Sequence, residues 1–430
     1  MEGKKLRIAV LGLGSVGSKV IELLTTQREK IQRTHQVTIE IAYGLVRSVN
    51  QVEKQQFAQA NHIQLTENIE DILQDEQVEV VIELLGRIHP AKDYIIQALQ
   101  AKKHVITANK DVIASYGSEI QAVAAENGVS VLYEASVGGG IPIVHTLETQ
   151  FGLDTVSKIT GIMNGTTNFI LTKMQQEQLS YETALTLAQE MGFAESDPTN
   201  DVEGIDAAYK LMVLAQLVYG IYPDLNQVYC QGITQITALQ MTVAAKFGYK
   251  IKLLGELVVQ TNQYGLRVAP FLIAETELLA QINYETNALS IDSHQIGTTF
   301  LSGPGAGAAP TATSVLADVQ ALLNQGLTIA PTASKVVATE AFAEIDWKQK
   351  PEVYALILKK NQPIQKFSNE QLALIEKIAY VTVEGEAIEW LETTALTAQQ
   401  LVTLQTSLAS LGKILGCLPF TKTPSERGKK

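Results

Sequence analysis

The sequence predicts an α/β chain: first a doubly wound parallel sheet, then an α+β segment, and last a small β-α-β-β-α-β module. Three observations lead to that expectation. Over the first 137 residues short apolar runs alternate with helical patterns, a glycine turn joins the first run to the first helix, and from Gly138 onward longer helices give way to strand-like pairs. Strands that alternate with helices run parallel, with helices covering both faces.

In chain order, residues 6–11 read as a buried strand, Gly12-Leu13-Gly14-Ser15-Val16-Gly17 as a turn, and Val20, Ile21, Leu23 and Leu24 as the apolar side of the helix it opens. Further strands are expected at 37–46, 78–85, 104–107 and 129–133, with helices such as 91–101 and 117–127 between them. Gly138-Gly-Gly-Ile-Pro142 starts another helix, and longer helical patterns follow at 167–176, 181–191 and 205–218. Strand-like runs lie at 252–259 and 265–273, and a glycine-rich stretch at 303–312 precedes a helical run ending near 342. Beyond a polar link at 347–351 come a strand (353–358), a helix (369–378), two strand candidates within 380–394, a helix (398–414) and a short last strand. That order suggests a ferredoxin-like module. The expected domains are thus 1–137, 138–345 and 351–430, with residues about 303–325 packing back on the first, and a polar, disordered tail over 421–430.

Composition narrows the function classes. The 430 residues are 46% hydrophobic, enough for two or three domain cores. A net charge of -12 argues against a general affinity for nucleic acid or anionic membrane. Cys230 and Cys417 are far apart and form no CxxC pair, so neither a disulfide framework nor a thiolate metal site is indicated. The N-terminus lacks the apolar core of a signal peptide, and no run approaches the ~20 apolar residues that span a bilayer. A cytoplasmic location fits these features. The histidines show no HxxxH spacing, and neither cysteine has the setting of a nucleophile, which favours a non-acylating reductase over a thioester-forming dehydrogenase.

The glycine turn stands where a dinucleotide fold needs it. Gly12 and Gly14 allow a tight turn close to a pyrophosphate, Gly17 lets helix and strand pack closely, and the helix N-terminus offers free N–H groups. NAD-preferring folds usually end the second strand with an acid; here it ends Leu45-Val-Arg47-Ser48, so Arg47 is either a partner for a 2′-phosphate, favouring NADP, or a solvated loop arginine. Lys110, in Thr107-Ala-Asn109-Lys110, follows the fourth expected strand at its carboxyl end, where open α/β sheets bind ligands.

The second cluster is acidic. Glu195, Asp197, Asp201 and Glu203 crowd a segment that runs into residues 205–222, a stretch apolar nearly all round whose only charges are Asp206 and Lys210. An i, i+4 pair out of water is either a structural salt bridge or a functional couple. The carboxylates fit no EF-hand, and recognition of a substrate ammonium is the simpler chemistry. Asp197-Pro198 reads as a turn start, and Glu203 is expected to face solvent.

Together these motifs resemble the homoserine dehydrogenase family. The likeness rests on residues 12–17, Thr107-Ala-Asn-Lys110, Tyr133-Glu-Ala-Ser-Val-Gly-Gly-Gly-Ile-Pro142, Gly161-Ile-Met-Asn-Gly-Thr-Thr-Asn-Phe-Ile-Leu171, and the stretches 192–210 and 303–312, covering about residues 5–342 in order. It implies a Rossmann nucleotide domain, a substrate and dimerisation domain, and reversible NAD(P)H-dependent reduction of L-aspartate 4-semialdehyde to L-homoserine, on the route to threonine and methionine. By the resemblance Lys210 carries the proton, Asp206 orients substrate and lysine, and Lys110 holds the reacting oxygen or the substrate carboxylate. Glu195 would bind the substrate ammonium with Gly165, Thr166 and Asp201. Gly86, Gly192 and Gly307 would join Gly12 to Gly17 at the cofactor. A monovalent cation, sodium, would rest on the main-chain oxygens of Glu134, Val137, Gly139 and Ile141.

Longer family members end in an ACT regulatory domain of the same element order, usually marked by an Asp-x-Pro-Gly-like turn. This chain has Asn361-Gln-Pro363-Ile instead, which weighs against threonine sensing and leaves assembly as the expected use of an ACT-like module. The expected assembly is a homodimer or higher homo-oligomer. Two other readings stay open at this point: another two-domain NADP-dependent reductase of a small amino-acid aldehyde or keto acid, and a non-catalytic nucleotide or amino-acid sensor on the same fold.

Overall fold

A computed structural model describes residues 4–325, 342–361 and 366–422. They divide into two compact units interleaved along the chain: residues 4–155, 209–224 and 301–325 in the first, 156–208, 225–300, 342–361 and 366–422 in the second.

The first unit is built on β1 (Lys4–Leu11), β2 (Val37–Leu45), β3 (Gln64–Thr66), β4 (Val78–Glu83), β5 (His104–Thr107) and β6 (Val131–Leu132). All pair in parallel, in the order β3-β2-β1-β4-β5-β6. This is the doubly wound order whose crevice opens at the carboxyl ends of β1 and β4. Leu6, Ile8, Ala9, Val10 and Leu11 are all buried, as a central strand covered on both faces requires. One side is covered by Val20, Ile21 and Leu24 of the Ser15–Thr26 helix and by Ala312, Val315, Val319 and Leu322 of the Ala308–Asn324 helix. The strand expected at 129–133 is reduced to Val131–Leu132, and no strand was expected at β3. β3 is short and polar, and the helix expected at 117–127 begins at Lys110, because the Asn109 side chain caps it by accepting from the Val112 N–H.

The second unit contains β7 (Val156–Ile162), β8 (Val228–Cys230), β9 (Tyr249–Gln260), β10 (Gln263–Ala274), β11 (Thr286–Ser293), β13 (Ala343–Glu344) and the first half of β12 (Gly297–Pro304). They form a mixed sheet in the order β12-β11-β7-β9-β10-β13, with β8 also on β10. Only β9 and β10 were expected, at 252–259 and 265–273.

The remaining strands are β14 (Tyr354–Lys360), β15 (Ile375–Val383), β16 (Glu386–Thr393) and β17 (Gly412–Pro419), an antiparallel sheet ordered β15-β16-β14-β17. The helix expected at 369–378 is a single turn, Asn369–Leu372. The two-residue loop Glu384-Gly385, with φ of 52° and 81°, fixes a tight hairpin that draws residues from Ile375 onward into β15. The helix expected at 398–414 ends at Leu408. Trp390, fully buried, stacks on Phe247 at 4.8 Å and on Tyr249 at 5.9 Å, with Phe420 edge-on at 6.2 Å. The expected link at 347–351 is packed: the Trp347 indole N–H donates to Leu266 O at 3.1 Å, and the Arg267 guanidinium lies over its ring at 4.2 Å. Residues 326–341, most of the Asn361 to Ile364 turn and the tail from 423 lie outside the described residues.

Candidate active site

In the first unit the three turn glycines serve different needs. Gly12 has φ 100°, and a Cβ there would stand 2.8 Å from Leu84 O; a Cβ on Gly17 would stand 2.0 Å from Gly12 O. Both are required by the protein itself. At Gly14 no atom lies within 4 Å of the Cβ position, so the protein does not need that space and a close ligand would use it. The helix that follows has no side-chain N-cap bond, which leaves its first N–H groups for an anion. Leu13 is buried, whereas Ser15 is exposed and Val16 half-buried at the helix start. Arg47 is exposed just past β2, and Glu67 holds its loop by accepting from the Val49 N–H at 2.7 Å.

Beyond β4 and β5 lies a group that sequence reasoning missed. Glu83, fully buried, accepts from the Leu85 N–H at 2.6 Å and from the Thr107 hydroxyl at 2.5 Å. Burial pushes its carboxyl up, against the hydrogen bonds from Thr107, Leu85, Asn109 and Gly86. Thr107 Oγ1 in turn accepts from the Asn109 N–H at 3.0 Å, and Asn109 Nδ2 donates to Arg87 O at 2.9 Å. One carboxylate therefore ties together the loop of Gly86 (φ 77°) and the start of the helix headed by Lys110, whose Nζ is 3.5 Å from Asp111 Oδ1. The available signal was an acid at the carboxyl end of a strand, where open α/β sheets bind ligands.

The loop from Glu134 to Ile141 turns through left-handed glycines at Gly138 and Gly139. Glu134 carboxyl oxygens accept from the Val144 and His145 N–H groups at 3.0 and 2.7 Å, and burial raises that carboxyl to about 7. Asp318 accepts from the Glu134 N–H at 3.0 Å and lies 2.9 Å from His145 Nε2. Ser314 donates to Gly139 O at 2.6 Å, and Ile143 N–H donates to Ile141 O at 2.8 Å. Each carbonyl keeps a second lone pair, so these oxygens remain able to ligate a hard cation. Gly307, with φ 108°, stands before the Ala308–Asn324 helix.

In the second unit the acidic segment condenses around Asn164. Asn164 Nδ2 donates to Asp201 Oδ1 at 2.6 Å and to Asp206 Oδ2 at 2.9 Å. Gly165 follows, its Cβ position 2.7 Å from Glu285 O, and the Thr166 hydroxyl donates to Phe193 O at 2.6 Å, linking the helix start to the Gly192–Glu195 loop. Gly192 has φ 76° and open space around it. Glu195 is exposed, with its carbonyl accepting from Gln189 Nε2 at 3.1 Å. Asp197 starts a turn by accepting from the Thr199 N–H and hydroxyl, which hold its carboxyl below the usual range. Glu203, expected in solvent, is half-buried and accepts from the Thr234 hydroxyl at 3.4 Å, because it packs beside Gly232.

Asp206 begins the Ile205–Tyr219 helix, and Lys210, only 9% exposed, lies one turn further along it. Residues 211–217 are all buried, Gln216 among them with its Nε2 donating to Ala114 O at 2.7 Å, so this is the helix, apolar nearly all round, that the sequence indicated. Among the described residues no group of three or more His, Cys, Asp and Glu side chains is arranged to hold a metal ion.

The pattern of the family described as homoserine dehydrogenase, NAD binding domain, matches residues 12–134, and that described as homoserine dehydrogenase matches residues 142–320. The homoserine dehydrogenase of Bacillus subtilis (strain 168) is 41% identical over 352 residues, covering 82% of this chain and 80% of that protein. That of Lactococcus lactis subsp. lactis (strain IL1403) is 41% identical over 314 residues, 73% of each. A crystal structure of a homoserine dehydrogenase from Thiobacillus denitrificans superposes with a TM-score of 0.87 at 30% identity, covering 98% of this chain and 100% of that one.

Proposed function

Because the chain belongs to the homoserine dehydrogenase family, we propose that it reduces L-aspartate 4-semialdehyde reversibly to L-homoserine, using NADPH in preference to NADH. The observation that supports this most is the buried Lys210 one turn from Asp206, on a helix otherwise apolar. A lysine in that setting is retained for a task more readily than for stability.

The nicotinamide, when bound, supplies or accepts the hydride. The chain's own residues then have to bind, orient and move one proton. Lys210 gives that proton to the aldehyde oxygen during reduction and takes it from the hydroxyl in the reverse direction. Asp206 orients the lysine and the substrate, while Lys110 holds the reacting oxygen or the carboxylate. Glu195 takes the substrate ammonium, with Asp201, Gly165 and Thr166 shaping the same subsite. The phosphates lie on the turn at Gly12, Leu13, Gly14, Ser15, Val16 and Gly17, and Arg47 pairs the 2′-phosphate, a contact suited to a guanidinium. Gly86, Gly192 and Gly307 leave room for the remainder of the cofactor. Main-chain oxygens of Glu134, Val137, Gly139 and Ile141 would hold a sodium ion and so stiffen the loop beside the nucleotide.

The same reading makes the chain a cytoplasmic homodimer of the threonine and methionine route, with an ACT-like C-terminal module that serves assembly. Among the described residues no helix is long and apolar enough to cross a membrane. The test is direct: aspartate semialdehyde with NADPH should give coenzyme oxidation, and homoserine with NADP the reverse. Lys210→Ala should lose most turnover while keeping NADPH affinity. Equal loss of both would make Lys210 a structural lysine.

A further inference from the structure

We infer that Asn164 is a positioning residue for the reaction, its side-chain amide setting the geometry of Asp206 and Asp201 together. The inference deepens the proposed function and rests on it. Asn164 stands between β7 and the Gly165–Glu177 helix and is 5% exposed. Its Oδ1 accepts from the Thr167 N–H at 2.8 Å and from the Thr167 hydroxyl at 3.0 Å. Its Nδ2 gives one hydrogen to Asp201 at 2.6 Å and the other to Asp206 at 2.9 Å.

A primary amide has two donor hydrogens and two acceptor lone pairs; here both donors are engaged and the oxygen accepts from the Thr167 N–H, with the Thr167 hydroxyl shared between Oδ1 and the Asn164 carbonyl oxygen at 3.2 Å. The orientation is therefore fixed. Turning the amide over would point its NH2 at the Thr167 N–H and its oxygen at two carboxylates. Helix capping needs only the acceptor side, for which serine, aspartate or threonine would serve as well. The donor side has no role in the cap. It bridges two carboxylates that would otherwise repel each other, and hydrogen bonds to charged acceptors are the stronger kind. The adjoining Thr166 hydroxyl, bonded to Phe193 O, clasps the loop of Glu195 to the same junction. One strand-to-helix turn thus aligns the acid beside Lys210 in the chain and the segment expected to take the ammonium.

Two substitutions separate the cap from the positioning. Asn164→Ser keeps an N-cap oxygen and removes both amide hydrogens, its shorter side chain leaving one hydroxyl in place of the bridge; Asn164→Asp keeps the shape and the cap but sets a third carboxylate beside the other two. Purified full-length variants are compared with the wild type for homoserine oxidation, NADPH affinity and thermal midpoint. Both should retain NADPH affinity while kcat falls roughly ten- to a hundredfold, with the midpoint only modestly lowered in Asn164→Ser and lowered further in Asn164→Asp by the third buried carboxylate. Wild-type kcat in either variant overturns the positioning role, and so does a kcat loss matched by equal losses of midpoint and NADPH affinity, which would mark a cap and nothing more. A wild-type protein that turns over no homoserine with either coenzyme overturns the functional reading, and the inference with it.

Discussion

Lys252, on β9, is 1% exposed, and its ammonium donates to neutral oxygens: Ile282 O at 2.6 Å, Asn168 Oδ1 at 2.8 Å, and Thr172 Oγ1 and Asn283 Oδ1 at 3.4 Å. Burial, with the like charge of Lys250, pushes it down to about 7 from 10.5. Between those two values the unfolded chain binds the extra proton, so stability should rise with pH across that window and stay at its lower level below it. Chemical denaturation from neutral pH upward should show this slope, at most about 1.4 kcal/mol per pH unit, and Lys252→Met should flatten it. An unchanged slope in that variant would assign the effect to other groups. Glu256 is the opposite case. Burial alone would raise it, but the charges of Arg267 and Lys158 prevail and hold it at about 2, so its contribution is present at neutral pH and is lost on acidification from 4.5 through about 2. At the exposed extreme stands Arg47, whose expected partner is a ligand phosphate. Arg47→Ala should weaken NADPH by roughly ten- to a hundredfold, as for a charge-assisted bond, and leave NADH nearly unchanged; titration of both coenzymes decides it, and an equal loss would refute a 2′-phosphate contact.

At the scale of elements the strand, glycine turn and helix at the N-terminus make a sharper test than any single contact. Gly14→Ala adds a methyl group where no protein atom stands within 4 Å, at a φ of -84° that alanine adopts readily. Thermal midpoint should therefore hold while nucleotide affinity falls. Gly17→Ala drives the same methyl to 2.0 Å from Gly12 O, so the turn itself must shift and stability should fall with affinity. If Gly14→Ala bound NADPH normally, the pyrophosphate would not approach that residue. This element was readable because its signal is local, with an apolar run, a fixed glycine spacing and helical periodicity adjoining in sequence. Elements that escaped lack such a signal: β3, β8 and β13 are only two or three residues long, and most side chains of β12 are exposed or half-buried. The site divides in the same way. Lys210 and Asp206 stood out as lone charges in an apolar helix, whereas Glu83 and Asn164 act through partners 24, 37 and 42 residues away, which no local pattern records.

For the whole molecule the question is whether the last eighty residues are an appendage that can be removed. Their sheet is not closed on itself. Trp390 of β16 lies among Phe247, Tyr249 and Phe420, and β10 meets the segment after β17 where Thr421 N–H donates to Leu272 O at 3.1 Å. A second tie is ionic: Arg267, buried on β10, pairs with Glu256 at 2.6 Å and with Glu352 at 2.7 Å, just ahead of β14. Deleting residues from 351 onward would uncover the aromatic surface of Phe247 and Tyr249 and remove one of the two carboxylates from a buried guanidinium, each a costly change. The truncated chain is therefore expected to aggregate or unfold, and should not survive as an intact, active protein. Because deletion alone could fail for trivial reasons of expression, Trp390→Ala and Trp390→Phe make the test quantitative. The alanine variant should lose about 3–5 kcal/mol by denaturant titration and the phenylalanine variant clearly less, since an aromatic ring can still stack in that pocket. A soluble, fully active truncation, or a Trp390→Ala variant as stable as the parent, would show that the module folds independently of the sheet beneath it.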